Sequence, residues 1–201
     1  NSLVSSPVLG KIAKHFGLEH EETLTGFKYV SRVPHLIFGF EEALGYLVTP
    51  DVVRDKDGVS AGLMALEIAY SLAAEEKTLW DYLATIEEAV GGFASSQITI
   101  KLGDQGNNTP LAEQLRSAQP GAFGTRAITQ VDDFLQGVGE FPREDILRYY
   151  LEDGSRVIIR PSGTEPKLKI YLDTQGDTRR EAETALTELE SALRSLVDSL
   201  S

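Results

Sequence analysis

Arg160-Pro161-Ser162-Gly163-Thr164-Glu165-Pro166 gathers one guanidinium, two hydroxyls and a glycine into a single tight loop. Arg156-Val157-Ile158-Ile159 before it and Leu168-Lys169-Ile170-Tyr171-Leu172 after it read as flanking strands. Glycine lets backbone N–H groups turn inward and approach an oxyanion closely. Arginine adds a planar fork that matches phosphate oxygens, and Ser162 and Thr164 can each donate one more hydrogen bond. Pro161 and Pro166 limit the freedom of the loop and lower its ordering cost. The loop has no histidine, and its one carboxylate, Glu165, would repel phosphate if it faced inward, so this chemistry suits holding a phosphate monoester rather than cleaving one. The same residues also suit an ordinary surface turn rich in turn-formers, and chemistry alone leaves both readings open.

The rest of the second half supports a sheet with a covering helix. Gln97 to Leu102 alternates polar and apolar residues, Ala127 to Val131 is a weaker strand, and Leu147 to Leu151 is another. Leu111 to Ala118 fits a short helix. The final helix is the clearest element: Ala182, Ala185, Leu186, Leu189, Leu193, Leu196, Val197 and Leu200 form one apolar stripe. Thr178 with Glu181 makes a capping box at its start. Strands followed by helices indicate an α+β domain with an antiparallel sheet covered by helices.

Upstream, strand and helix signals alternate, which favours an α/β layer architecture. Lys11 to Gly17 reads as the end of a helix capped by Gly17. Leu36 to Phe40 reads as a buried strand. Val59, Leu63, Leu66, Ala69, Tyr70 and Ala73 recur at helical spacing behind the capping residue Asp57, and a second helix runs from Thr78 to about Val90. Gly91-Gly92 breaks the pattern and marks the domain boundary.

The bulk properties exclude several classes. The chain has 201 residues, enough for one large or two small domains, and a formal net charge of -12. A polyanion is repelled on average and no basic stripe with interleaved aromatics offsets this, so nucleic acid is not expected as a partner. There is no cysteine, hence no disulfide and no thiolate metal site. His15, His20 and His35 share no ligand spacing, and no metal site is expected. The most apolar run, Ala61 to Ala74, is short and carries Glu67, so no membrane span is expected. The chain begins at Asn1 in mid-pattern and reads as a fragment of a longer protein.

Two further stretches carry candidate chemistry. Gly39-Phe40-Glu41-Glu42-Ala43-Leu44-Gly45-Tyr46 places adjacent carboxylates after an apolar strand. A strand sends neighbours to opposite faces, so only one of the two faces a given pocket. A carboxylate there could fix the orientation of vicinal sugar hydroxyls, or be a solvated turn. Lys28 follows a Thr-Gly turn, where it could pair with phosphate, assist proton transfer or sit inert at the surface.

The loop at Arg160 to Pro166 closely resembles the phosphate-binding loop in the last domain of the α-D-phosphohexomutases, the phosphoglucomutase and phosphomannomutase family. Gly39 to Tyr46 resembles the sugar-recognition loop of that family's third domain. Thr25-Gly26-Phe27-Lys28 and Arg54-Asp55-Lys56-Asp57-Gly58-Val59 also resemble that domain. The four motifs occur in the family's order and span nearly the whole chain. The resemblance implies residues 1–91 as a sugar-recognition α/β three-layer domain, truncated at its start, and residues 92–201 as the phosphate-binding α+β domain. It implies Glu41 as the acceptor of sugar hydroxyls and Lys28 at the active cleft, with a proposed acid–base role. It implies Arg160, Ser162, Gly163 and Thr164 as phosphate contacts, with Lys169 as a second cation on the outgoing strand. Lys167 is expected on the other side of that strand, and Glu165 is expected to face away from phosphate or to cap a backbone N–H. Ala43 departs from the serine that many members carry, and the Phe-Glu-Glu-Ala form is closer to a branch that includes phosphopentomutase-like enzymes.

In that family four domains line one cleft, the first supplying a phosphoserine and the second an Asp-rich loop that holds Mg²⁺. Neither a Thr-Ala-Ser-His-type loop nor an Asp-x-Asp-x-Asp sequence occurs here. The resemblance therefore implies the C-terminal half of a cytoplasmic isomerase that interconverts hexose 1-phosphate and hexose 6-phosphate, glucose or mannose, through a bisphosphate. This half would bind the phosphosugar, depend on missing N-terminal domains of the same polypeptide, bind no Mg²⁺ itself and be inactive alone. A phosphopentomutase parent and a non-catalytic phosphosugar-binding module remain the alternatives.

Overall fold

A computed structural model describes residues 1–101, 109–162 and 167–200. The chain divides into two compact units, Asn1–Val90 and Gly91–Ser201.

In the first unit, helix α1 (Val8–His15) ends where Gly17 takes the left-handed conformation at φ +68°, and Leu18 N–H closes back on the Ala13 carbonyl at 2.8 Å. A one-turn helix α2 (Phe27–Val30) leads to an antiparallel hairpin of β1 (Gly39–Glu41) and β2 (Gly45–Leu47). Asp57 caps α3 (Gly58–Ala74) by accepting from the N–H groups of Val59 and Ser60. Thr78 and Asp81 exchange hydrogen bonds at the start of α4 (Leu79–Val90). The first residues of the chain lie between two segments. Leu3 N–H donates to the Thr23 carbonyl and Ser2 N–H to the Phe40 carbonyl, with a parallel bridge between Ser2 and Thr23. Phe27, Val30 and Leu47 form the small core.

Two expectations change here. The strand expected from Leu36 begins only at Gly39, with Ile37 64% exposed. His35 takes a left-handed φ of 54°, which breaks the extended path before Leu36. The helical stripe at Val59, Leu63, Leu66 and Tyr70 is exposed, and α3 buries Leu72 instead. Its apolar residues are spread around the helix, so the spacing alone does not pick the packed face.

The second unit is a six-stranded antiparallel sheet ordered β3-β8-β7-β6-β5-β4. Its strands are β3 (Gly92–Lys101), β4 (Ala122–Phe123), β5 (Arg126–Asp133), β6 (Leu147–Leu151), β7 (Arg156–Pro161) and β8 (Lys167–Gly176), with α5 (Thr109–Ala118) between β3 and β4. The strand expected over 97–102 thus begins at Gly92, and Leu102 lies outside the described residues. Gly92 is required by contact: a Cβ there would lie 2.1 Å from the Thr178 backbone. Helix α6 (Arg179–Leu200) covers one face, with Leu189 and Leu193 set into a core of Ile98, Val157, Ile159, Leu168, Ile170 and Leu172. The capping box forms as expected, Thr178 N–H to Glu181 Oε2 and Glu181 N–H to Thr178 Oγ1. On β7 and β8, register is fixed by a buried ion pair between cross-strand partners Arg156 and Asp173 (2.7 Å), whose other oxygen accepts from Ser95 Oγ. No described helix is long and apolar enough to cross a membrane.

Candidate functional site

In the first unit the hairpin turn presents Glu41, which is 7% exposed. Its carboxylate is held from two sides: Oε1 accepts from Gly26 N–H at 2.8 Å, and Oε2 pairs with Lys56 Nζ at 3.1 Å. Lys56 Nζ also donates to the Ala43 carbonyl at 3.0 Å and lies over the Phe27 ring. Gly45 makes this packing possible. A Cβ there would sit 2.9 Å from both Glu41 Cβ and Lys56 Cε, so a side chain would push the pair apart. Asp57 N–H donates to the Tyr46 carbonyl, which ties the segment carrying Lys56 to β2. Next to Gly26 in sequence, the Thr25 hydroxyl is buried without a hydrogen-bond partner among the described residues, an uncommon state for such a group.

A carboxylate offers about four lone-pair sites. The two contacts on Glu41 leave acceptor capacity next to a cationic donor, Lys56. This set of donors and acceptors suits vicinal hydroxyls. Glu42, the first residue of the turn after β1, bonds instead to Ser2 and Ser5. Lys28 is exposed on α2 with its ammonium 4.9 Å from the Tyr29 ring centre. The pairing of Lys56 with Glu41 is not read from the sequence. Both lie in quoted motifs, but pairing over 15 residues is set by the fold.

In the second unit, β7 and β8 bring Arg160 and Lys169 together as direct cross-strand partners. The loop between the strands is closed at its base by Ser162 N–H to the Lys167 carbonyl at 2.8 Å. Arg160, Ser162 and Lys169 are half-buried. Gly163, Thr164, Glu165 and Pro166 lie outside the described residues. Lys167 requires a correction. It is two residues from Lys169, so it shares that face of the strand, while Leu168 between them is fully buried on the other. Lys167 is in turn the partner of Lys101 on β3. Like charges opposite one another destabilise a sheet. Here four cations, Arg160, Lys169, Lys167 and Lys101, lie on one face of three adjacent strands in a chain of net charge -12. Such a concentration is suited to an anion. Among the described residues no group of three or more His, Asp or Glu side chains could hold a metal ion.

Residues 1–89 match the family description "Phosphoglucomutase/phosphomannomutase, alpha/beta/alpha domain III", and residues 112–191 match its C-terminal domain. A probable phosphomannomutase of Haemophilus influenzae is 44% identical over 98% of this chain. A probable phosphoribomutase of Schizosaccharomyces pombe is 29% identical over 97% of it. The chain spans 40% and 37% of the lengths of these relatives. Among solved structures, the open form of pp63/parafusin (phosphoglucomutase) from Paramecium superposes with a TM-score of 0.70 at 23% identity. That match covers 94% of this chain and 35% of the other, and it bears on fold alone.

Proposed function

The chain belongs to the phosphoglucomutase/phosphomannomutase family, and from that premise we propose that it is the sugar- and phosphate-binding half of a phosphosugar mutase. In this reading the first unit reads hydroxyls and the second holds phosphate. Glu41 accepts from sugar hydroxyls, with Lys56 as a donor beside it and Lys28 as a candidate for proton transfer. Arg160, Ser162, Gly163 and Thr164 clamp a phosphate, and Lys169 adds a second cation. Phosphoryl transfer itself depends on a phosphoserine and a Mg²⁺-binding loop carried by other domains of a longer polypeptide. The Mg²⁺ would stabilise charge on the transferring group there, and no ligand set for it is evident among the residues described here. The present residues contribute binding energy and orientation.

The observation that carries this reading is the cross-strand pairing of Arg160 with Lys169 at the base of the Ser162 loop. Two cations placed opposite one another carry a cost that a bound phosphate removes. The hexose phosphate assignment draws on the 44% identity to a probable phosphomannomutase. A pentose phosphate is the second reading, favoured by Ala43 in the sugar turn and by the similarity to a probable phosphoribomutase.

The test is Arg160→Ala in the mutase polypeptide that carries this chain. A charge-assisted, bidentate contact contributes about 1.5–3 kcal/mol, so kcat/KM for hexose phosphates should fall roughly ten- to hundred-fold. Arg160→Lys should recover only part of the loss, because an ammonium keeps the charge and loses the fork. A change within about twofold, well below the loss of such a contact, would mean that the loop is only a turn.

A further inference from the structure

The turn that carries Glu41 is supported from outside the hairpin. Glu42, Ala43 and Leu44 join β1 to β2, and Leu44 sits at φ +54°, a left-handed conformation uncommon for a bulky residue. Its side chain is 82% exposed, so burial does not hold it there. Backbone of this kind persists where its surroundings over-determine it. One support is Lys56, through the Ala43 carbonyl. The other is Ser5, 37 residues from Glu42 in sequence. Ser5 Oγ accepts from the Glu42 backbone N–H at 3.2 Å and donates to Glu42 Oε2 at 2.9 Å. Ser2 Oγ lies 2.7 Å from Ser5 Oγ and 3.4 Å from the same carboxylate oxygen. Both serines are fully buried, whereas Glu42 is exposed. Hydroxyls anchored in the interior thus hold both the main chain and the side chain of a surface residue.

The consequence falls on the neighbouring residue. The two carboxylates have separate partners, Ser5 for Glu42 and Gly26 with Lys56 for Glu41, so anchoring the turn at Glu42 fixes the end of β1 that carries Glu41. We infer that the Ser5–Glu42 clamp positions the Glu41 carboxylate, making Ser5 and Glu42 positioning residues for hydroxyl recognition. The inference rests on the reading of Glu41 as the hydroxyl acceptor.

The reporter is the Gly26 amide, which donates to Glu41 Oε1. Its hydrogen exchange would be followed by NMR in the 201-residue chain for Ser5→Ala, Glu42→Ala and Glu42→Gln. Exchange is compared with the amides of Val30 and Leu47, which sit in the core of the same unit. Loss of a supporting hydrogen bond should speed Gly26 exchange about fivefold relative to those amides in Ser5→Ala and in Glu42→Ala. The Ser5→Ala/Glu42→Ala double variant should be no faster than Ser5→Ala alone, since Ser5→Ala already removes both bonds to Glu42 and Glu42→Ala only the one to its carboxylate. Glu42→Gln keeps a carbonyl acceptor for the Ser5 hydroxyl and should stay within about twofold of wild type. If Gly26 exchange is unchanged in both alanine variants, or rises only in step with Val30 and Leu47, the clamp does not position Glu41 and the inference fails. A parallel titration with glucose 6-phosphate separates the two layers. The account expects about fivefold weaker binding in Ser5→Ala with binding of inorganic phosphate unchanged. Faster Gly26 exchange with unaltered glucose 6-phosphate affinity upholds the clamp and instead overturns Glu41 as the hydroxyl reader.

Discussion

Glu41 and Arg160 do complementary work in this account, and one substitution at each separates them. Glu41→Gln keeps the shape of the side chain and removes the charge that faces Lys56 and the Gly26 N–H. A carboxamide is a weaker acceptor, so a hydroxyl that distinguishes two epimers loses its partner. In the mutase, the ratio of kcat/KM for glucose and mannose phosphates should move toward unity by up to about tenfold. Competitive inhibition by inorganic phosphate should be unaffected, because that anion has no ring hydroxyls to read. A preserved epimer ratio would remove Glu41 from the sugar site. The sequence made Glu41 and Arg160 visible because each sits in a dense local motif. It did not reveal Lys56 or Ser5 as neighbours of the Glu41–Glu42 turn, since those contacts join residues 15 and 37 positions apart. Lys167 was misplaced for a simpler reason: a period of two puts it on the same face as Lys169.

At the scale of elements, the legible ones carry their own boundary chemistry. Helix α6 starts at a reciprocal cap and packs one stripe, so both its position and its buried face follow from local sequence. Thr178→Ala should destabilise the second unit by about 1 kcal/mol in urea unfolding, through loss of the cap, with little change in the first unit. An unaltered midpoint would mean that tertiary contacts alone set the start of α6. The strands β6, β7 and β8 were legible because β-branched and aromatic runs alternate between turn residues. The strand expected at Leu36 to Phe40 was not, because the left-handed backbone at His35 delays it to Gly39. Helix α3 was found by its cap and period, yet its packed side was not, as apolar residues ring it on all sides.

At the scale of the molecule, an acidic chain of net charge -12 carries one concentrated basic face, and a separate unit carries a buried carboxylate framed by a lysine and a glycine N–H. The central claim is that these 201 residues recognise a phosphosugar and do not transfer its phosphate. Groups that only hold a phosphate supply no phosphoryl carrier, and binding groups alone do not move a phosphoryl group. ³¹P NMR of the purified chain with glucose 1-phosphate, glucose 1,6-bisphosphate and Mg²⁺ reports binding and turnover in one spectrum. The account predicts that the glucose 1-phosphate resonance shifts with chain concentration, that Arg160→Ala abolishes the shift, and that no glucose 6-phosphate signal grows. A growing glucose 6-phosphate signal, or a resonance that responds equally to wild type and Arg160→Ala, would contradict it.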